Sequence, residues 1–384
     1  MNGWLLHTGD LPPELRRGID EIAKRNIPLE LAHPKDVDLV LDTQSPDVFV
    51  RGERTPLPDF VVAAFIDEVD TYNLALLQNL EVLGSLCINT AQTILNTNDK
   101  LRTHQLLARA GIPCPKTVRI HPKMTADRLI RYLGLPLVLK AVHGSKGQGV
   151  FLVKTHEELD QMLQFAHAGQ MKEEWIAQAY IAESHGRDIR VLVIDRRPMA
   201  AMLRASSTQF KSNFSQGGRV EAWPLTDEIQ TLTQQVIDVL GLNIGGIDLL
   251  FSTDGFLVCE ANSMPGFQGI ESCCAINVPQ EIFRGIARQL AAKKKTPIQV
   301  RSFLQEAESK GVLEHLATLS DLDGFAYFRS LCDSPRAMQL AVLRDILRRN
   351  AACEFGRAHQ FQSIQDVASF RRQVPLTDWS TIEA

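Results

Sequence analysis

The chain has 384 residues, of which 45% are hydrophobic and 22% charged, a composition that permits two or three domains with separate cores. Its 41 basic and 45 acidic residues give a formal net charge of −4, which argues against a nucleic-acid partner. The start, MNGWLLHTGD, has no basic leader, no run is long enough to span a bilayer, and the seven cysteines lack CxxC or zinc spacing; we therefore expect a cytoplasmic chain with reduced thiols and no membrane partner.

The first part of the chain alternates strand and helix patterns. GWLLHT, IPLELAH and LPDFVVAAF are typical of strands, and PPELRRGIDEIAKRN and TYNLALLQNLEVLG are typical of helices, which predicts a small parallel sheet with covering helices over residues 1–95. NTNDKLRTHQLLARAG follows as a predicted helix that starts at Asn98 and ends before Gly111.

The rest of the chain divides into two lobes and a tail. Residues 96–185 are predicted to form a small α+β lobe, in which Thr155 and Glu158 form a capping box at the start of a helix. Strands dominate residues 186–292, with one amphipathic helix, DEIQTLTQQVIDVLG. Residues 293–384 are predicted to be a helical extension.

An acidic hairpin is predicted in GIDLLFSTDGFLVCEANSMPG. A three-residue loop at 253–255 would pair Ser252 with Phe256, and counting back along the ladder places Asp248 opposite Glu260. Two facing carboxylates about 5 Å apart repel each other unless a cation lies between them.

A metal ion would explain why these acidic residues lie in apolar strands. Side chains alternate along a strand, so Asn262 shares a face with Glu260, and Asp248 joins them. An all-oxygen ligand set suits Mg²⁺ or Mn²⁺, and the remaining ligands of such an ion are usually phosphate oxygens. The alternative is a half-exposed hairpin whose acidic residues face water.

Two further segments are candidates for binding a nucleotide. In LPLVLKAVHGSKGQGVFLV, a strand ending near Lys140 leads into a glycine loop whose backbone N–H groups could approach phosphates; a flexible hairpin with a surface lysine is the alternative. In WIAQAYIAESHGRDIRVLVI, the backbone of Gln178–Ile181 could bind adenine and Glu183 a ribose, although an ordinary strand between lobes has the same pattern.

Taken in order, these segments resemble the ATP-grasp superfamily, and most closely the RimK-type α-L-glutamate ligases and their N-acetylaspartyl-glutamate synthase relatives. The resemblance is carried by NDKLRTHQLLARAGIPCP, VLKAVHGSKGQGV, QAYIAESHGRDIRVLVI, FKSNFSQGG, GGIDLL and CEANSMPGFQGIE, and it covers residues 88–292 well. It implies an α/β fold of α+β lobes, the ATP-grasp fold, with an N-terminal Rossmann-like pre-ATP-grasp domain.

The resemblance also implies a set of site residues, with ATP bound between the two lobes. The implied metal ligands are Asp248, Glu260 and Asn262, and the groups facing the γ-phosphate and the acyl intermediate are Arg204, Lys211 and Asn213. Relatives often have arginine where Lys211 stands, and lysine lacks the bidentate geometry of arginine. The implied nucleotide-binding residues are Lys100, Lys140, Gly144, Ser145, Lys146, Gly147, Gly149, Gln178, Ala179, Tyr180, Ile181, Glu183 and Asp188.

The implied reaction is the ATP-dependent joining of a small-molecule or peptide carboxylate to the amine of an amino acid, glutamate by analogy. An acyl phosphate forms first, and ADP and phosphate are released. Two alternatives are an adenylation reaction that yields AMP and a non-catalytic nucleotide-binding scaffold. Whether the chain forms a homo-oligomer is left open.

The tail resembles a different family. LRDILRRNAACEFGRAHQFQSIQDVASFRRQVPLTDW, residues 343–379, is similar to the opening segment of the auxin-conjugating acyl-acid amido synthetases. It contains none of the catalytic residues of that family. We interpret it as one end of a fused polypeptide, as a docking module, or as a helical appendage of the ligase.

Overall fold

A computed structural model shows two compact units, Met1–Leu290 and Ala291–Ala384, which are described separately. The described residues of the larger unit form four sheets, and those of the smaller unit are helical. The structure describes residues 1–8, 10–11, 13–41, 47–65, 69–143, 149–167, 174–206, 219–295 and 335–375.

The N-terminal part of the larger unit is a parallel α/β sheet, as the alternating pattern predicts. Its elements are β1 (Gly3–Thr8), α1 (Pro13–Ala23), β2 (Leu29–Ala32), β3 (Val37–Val40), β4 (Asp47–Val50), β5 (Glu53–Arg54), β6 (Phe60–Phe65), α2 (Thr71–Val82) and β7 (Leu86–Ile88). The parallel order is β2-β1-β6-β7, and β3 to β5 form a small antiparallel sheet. Trp4 and Leu6 on β1 pack against Leu76 and Leu80 of α2, and this apolar burial holds the layers together.

Two consecutive helices stand where the sequence predicted one helix starting at Asn98. These are α3 (Ala91–Asn98) and α4 (Lys100–Arg109). The Asp99 carboxylate accepts a hydrogen bond from the Arg102 N–H at 2.9 Å. Asp99 rather than Asn98 therefore caps α4, because the first N–H groups of a helix need an acceptor outside it.

Apart from the small sheet of β3 to β5, the second sheet along the chain is antiparallel and forms one lobe. Its elements are β8 (Thr117–Arg119), α5 (Ala126–Leu133), β9 (Leu137–Ala141), β10 (Val150–Val153), α6 (His156–His167) and β11 (Trp175–Ala179), and the strand order is β10-β9-β11-β8. The predicted capping box is present: the Glu158 N–H donates to Thr155 Oγ1, and the Thr155 N–H donates to Glu158 Oε2, both at 3.2 Å. The predicted glycine loop connects two antiparallel neighbours, β9 and β10.

The third sheet forms the other lobe. Its elements are β12 (Arg187–Ile194), β13 (Arg197–Ala205), β14 (Arg219–Trp223), α7 (Asp227–Leu240), β15 (Gly245–Ser252), β16 (Gly255–Asn262), α8 (Gln268–Cys273) and α9 (Val278–Lys295). The strand order is β14-β13-β12-β15-β16, all antiparallel. Helix α7 buries the predicted apolar stripe, Ile229, Leu232 and Val236, against this sheet.

The turn between β15 and β16 differs from the prediction. Ser252 pairs with Gly255, so the loop consists of two residues, 253–254, and the predicted pairing of Ser252 with Phe256 was wrong. Gly255 has φ of +112°, a backbone conformation that favours glycine.

A β-bulge restores the predicted pairing further along this hairpin. Leu249 pairs with Val258, whereas Asp248 pairs with Glu260, so Cys259 is an extra residue in β16. The prediction that Asp248 lies opposite Glu260 is therefore confirmed, because the extra residue in the bulge offsets the shorter turn.

Beyond the end of α9, the described part of the smaller unit contains three α-helices, Pro335–Asn350, Glu354–Ala358 and Val367–Gln373. Leu347, Phe361 and Ile364 form its buried centre. In the described parts of both units, no helix combines the length and apolar character needed to cross a bilayer.

Candidate active site

One face of the third sheet is apolar, and part of the opposite face is charged, beside the apolar residues Leu192, Ile194 and Met202. Ile189, Val191, Ile247 and Leu249 belong to the core that packs on α7. The residues between them point away from that core, because side chains alternate along a strand. Register places the charged residues of neighbouring strands side by side: Asp188 and Arg190 on β12, Arg204 on β13, Asp248 on β15 and Glu260 on β16.

Two arginines and two aspartates form a buried network on this face. Arg190 binds Asp248 through two hydrogen bonds of 2.7 Å. Arg204 binds Asp188 through Nε at 2.7 Å and Nη2 at 2.5 Å, and its Nη2 also lies 2.8 Å from Asp248 Oδ2. Arg204 therefore joins the two carboxylates, and its side chain is only 3% exposed.

The network keeps Asp248 and Arg204 ionised despite their burial. Burial alone would raise the pKa of the Asp248 carboxyl, but the guanidinium groups of Arg190 and Arg204 hold it at about 2. Burial opposes the charge of Arg204, yet Asp248 and Asp188 raise its pKa above the usual value. Asp248 is consequently an anion at neutral pH and a suitable ligand for a hard cation.

The predicted metal ligands have the chemistry that Mg²⁺ requires. A carboxylate offers about four lone pairs, and Asp248 uses three of them for its two arginines, which leaves one on Oδ1. Glu260 has a side chain 31% exposed, and Asn262 follows on the same strand face. In the described ranges, no cluster of three or more His, Cys, Asp or Glu residues is arranged to hold a metal. The predicted set needs the amide oxygen of Asn262 and phosphate oxygens in addition to its two carboxylates.

Two lysines from other elements lie beside the hairpin. Lys100, the first residue of α4, places Nζ 3.7 Å from Glu260 Oε1. Lys140, on β9 of the second sheet, donates from Nζ to Cys259 Sγ at 3.3 Å. Burial opposes the charge of Lys140, but the Cys259 sulfur and the carboxylates of Glu260 and Asp248 raise its pKa. The two predicted phosphate-binding lysines are therefore brought together with the predicted metal ligands.

A buried histidine lies next to this cluster. The Gln178 side-chain amide donates to His104 Nε2 at 2.7 Å and to Thr117 Oγ1 at 2.9 Å. His104 is 5% exposed; burial and the charge of Lys140 lower the pKa of its imidazole to about 4. His104 is therefore neutral at pH 7, and the Gln178 side chain is committed to structure.

The neutral state of His104 predicts a pH-dependent stability. In the unfolded chain the imidazole takes a proton below about pH 6.5, whereas the folded chain resists protonation until about pH 4, so stability present above pH 6.5 is lost as the pH falls. Between pH 7 and pH 5 we expect wild type to lose about 2 kcal/mol more unfolding free energy than the His104→Leu variant. Urea unfolding at a series of pH values measures this, and parallel pH profiles for the two proteins would contradict it.

Residues of the predicted adenine and ribose site lie at the end of β11 and just beyond it. The Ala179 N–H donates to the Lys116 carbonyl at 2.9 Å, so it is already used in the sheet. Tyr180 bonds the His185 ring through its hydroxyl, and Glu183 lies exposed on a short 3₁₀ turn. Of the four residues whose backbone was predicted to bind adenine, Tyr180 and Ile181 lie beyond β11, which ends at Ala179.

The glycine loop is described only at its end. Gly149 has φ of +66°, and a Cβ there would lie 2.9 Å from the Cβ of Ala141, so glycine is required where the loop returns to β10. The other predicted loop residues, Gly144, Ser145, Lys146 and Gly147, and the predicted catalytic residues Lys211 and Asn213 lie outside the described residues.

The fold and this site define an ATP-grasp ligase. Residues 97–286 match the RimK-like ATP-grasp domain, residues 4–94 match the RimK PreATP-grasp domain, and residues 325–384 match the GH3 family N-terminal domain. A protein named "Probable alpha-L-glutamate ligase" from Picosynechococcus sp. is 34% identical over 258 residues, covering 67% of this chain and 85% of the relative. Another of that name, from Klebsiella pneumoniae, is 33% identical over 276 residues, covering 71% and 91%.

The solved structures agree on the fold. The ATP-grasp ligase PsnB, complexed with minimal precursor, Mg, and ADP, superposes with a TM-score of 0.59 at 18% identity over 75% of this chain and 98% of its own.

The chain belongs to the RimK-like ATP-grasp family, as the sequence resemblance predicted. It is an ATP-dependent carboxylate–amine ligase.

The sequence prediction did not identify three residues that the structure places at the site. Arg190 binds Asp248, Cys259 contacts Lys140, and His104 contacts Gln178. Arg190 follows Asp188 by two positions in an apolar strand, and that alternation of charges was a usable signal for a charged sheet face. Cys259 and His104 gave no comparable signal.

Proposed function

We propose that the enzyme joins the amine of an amino acid, glutamate or a similar one, to a small-molecule or peptide carboxylate through an acyl phosphate, with release of ADP and phosphate. The observation that carries the proposal is the convergence of Lys100 and Lys140 on the hairpin bearing Asp248 and Glu260. A magnesium–triphosphate complex needs both kinds of charge, because lysine cations bind its phosphate oxygens and carboxylates bind its metal ion. The preference for glutamate rests on the names of the relatives.

In this proposal the substrate carboxylate attacks the γ-phosphorus of ATP, and the bond from that phosphorus to the bridging oxygen of ADP breaks. The incoming amine then attacks the acyl carbon, and phosphate leaves with one oxygen of the original carboxylate. Lys100 and Lys140 neutralise phosphate oxygens, and Arg204 stabilises negative charge that develops during transfer. Mg²⁺, held by Asp248, Glu260 and Asn262 when bound, neutralises phosphate charge.

The remaining site residues extend this proposal. We propose that the backbone of Gln178–Ile181 binds adenine, chiefly through Tyr180 and Ile181, which lie beyond the strand, that Glu183 binds ribose, and that Asp188 acts at the nucleotide site by holding Arg204. The loop Gly144–Gly149 would cover the phosphates, and Lys211 and Asn213 would contact the acyl intermediate. Mn²⁺ is proposed as a substitute for Mg²⁺, because both accept oxygen ligands.

The proposed acyl-phosphate route is tested by following an oxygen atom of the substrate carboxylate into the products. We expect that an ¹⁸O-labelled carboxylate, incubated with Mg–ATP and glutamate, transfers one label to inorganic phosphate while ADP accumulates. Screening amino acids against small carboxylates and peptides, with products identified by mass spectrometry, finds the substrate pair for this measurement. Label in AMP, with release of pyrophosphate, would instead establish adenylation and overturn the proposal.

A second candidate function concerns the tail. The match of residues 325–384 to the GH3 family N-terminal domain favours a bifunctional protein in which this segment docks or continues into an amido synthetase module. We also propose a cytoplasmic location, a homo-oligomeric state, and a division into domains at 1–95, 96–185, 186–292 and 293–384. Deleting residues 296–384 and measuring ADP release separates the two functions: unchanged release would assign the ligase activity to the larger unit alone.

A further inference from the structure

The Asn89 side chain, directly after β7, makes four hydrogen bonds to backbone groups of the third sheet's lobe. Its amide nitrogen donates to the carbonyls of Ile244 at 2.7 Å and Ser263 at 2.8 Å. Its oxygen accepts from the N–H groups of Asn243 at 2.8 Å and Ile244 at 3.0 Å. A primary amide has two donor hydrogens and two acceptor lone pairs, so the capacity of this buried side chain is fully used.

These partners flank the two strands of the acidic hairpin. Ile244 directly precedes β15, and Ser263 directly follows β16. The first pair of the ladder at this end is Gly246 with Asn262. Asn89 therefore ties both strands together at the open end of the hairpin, opposite the turn.

The bulge makes this anchor important for the predicted metal ligands. Cys259 interrupts the ladder, and Asp248, Glu260 and Asn262 all lie on the open-end side of the interruption. The turn consequently does not by itself fix their alignment, since a bulge locally disrupts pairing and bends the strand. The hydrogen bonds of Asn89 constrain the alignment from the other side.

A neighbouring residue makes a similar hydrogen bond between elements, to a residue that lies outside the hairpin. Thr93, on α3, donates from Oγ1 to the carbonyl of Gly241 at 2.8 Å, at the end of α7. Thr93 is as buried as Asn89, at 2% against 3% exposed. It therefore offers a matched control for the general stability of this junction.

We propose that Asn89 is a positioning residue for the metal site: it holds Asp248, Glu260 and Asn262 at the spacing that a divalent cation requires. The proposal rests on the function proposed above, and Asn89 itself touches neither substrate nor reacting atoms. Residues that orient metal ligands through hydrogen bonds commonly influence metal affinity strongly. The pre-ATP-grasp sheet thus contributes to the metal geometry of another lobe.

Metal binding, measured apart from turnover, tests the proposal. The probe is Mn²⁺, titrated into the full chain with a non-hydrolysable ATP analogue and followed by the EPR signal of the free ion. Asn89→Asp keeps the size and the acceptor but removes both N–H donors, and we expect it to weaken Mn²⁺ binding about tenfold. Thr93→Val should lower thermal stability and leave Mn²⁺ affinity at the wild-type value.

The outcomes separate this proposal from the proposed function. Wild-type affinity in Asn89→Asp, or equal weakening in Asn89→Asp and Thr93→Val, overturns the positioning role alone. If the wild-type chain and the Glu260→Gln variant bind Mn²⁺ equally, or neither binds it, the metal site is overturned, and the positioning role with it. If Asn89→Asp does not fold, Asn89→Ser is measured in its place with the same expectation, because serine adds no charge, lacks both amide N–H donors and has a shorter side chain.

Discussion

The Glu260→Gln variant is expected to turn over roughly 10²–10³-fold more slowly than wild type while remaining folded. Glutamine keeps the size of the side chain but replaces an anionic oxygen with a neutral amide, which weakens the proposed contact with Mg²⁺. Because the Glu260 side chain is 31% exposed, the substitution should cost little stability. Steady-state ADP release as a function of Mg²⁺ concentration measures the effect, and excess Mg²⁺ should restore part of the rate.

Glu221→Gln is the matched control for this prediction. Glu221 lies on β14 of the same sheet, is exposed, and pairs with Leu203 rather than with a residue of the charged network. We expect its turnover and Mg²⁺ dependence to equal those of wild type. Equal rates for Glu260→Gln and wild type would remove Glu260 from the metal site, and the proposed mechanism would lose its central ligand.

The Arg204→Met variant is expected to lose about 3–5 kcal/mol of unfolding free energy, because it leaves the buried Asp188 carboxylate without its bidentate partner. Asp248 retains Arg190, so the cost should arise mainly at Asp188. Urea unfolding of the single variants Arg204→Met and Asp188→Leu and of the double variant measures the coupling between them.

The double variant distinguishes an ion pair from simple loss of packing. Replacing both partners with apolar residues removes the uncompensated charge, so we expect it to be at least roughly 2 kcal/mol more stable than the sum of the single effects. Turnover should be lost in both variants that lack Arg204, because the double variant regains part of the stability but neither variant regains the cation. Additive stability effects would show that Asp188 and Arg204 do not act as a pair.

Local patterns were sufficient to predict much of the hairpin. The apolar runs and the strict alternation of side chains identified β15 and β16 and placed Asp248 opposite Glu260. The turn prediction failed because Gly255 closes a two-residue loop, and the bulge at Cys259 had no visible pattern in the sequence. The shorter turn and the extra bulge residue shift the strand pairing by one position in opposite directions. The predicted pair was therefore correct although neither feature was predicted.

The charged network was harder to predict because its partners are distant in sequence. Arg190 and Asp248 are 58 positions apart, and Lys140 and Cys259 are 119 apart. Their contacts depend on β12 lying beside β15 and on one lobe facing the other, which are outcomes of chain topology rather than of any local motif. Asn89, 155 positions from Ile244, is a further case.

By itself the sequence determined many of the strands and helices, the family resemblance and the acidic pair of the hairpin, because alternation, helical periodicity and ordered motifs are local properties of the chain. Tertiary structure decided which charges share the interior with that pair. Arg190, Arg204 and Lys140 reach it only after three separate elements have packed around the hairpin, since a buried carboxylate must find its counter-charges wherever the fold brings them.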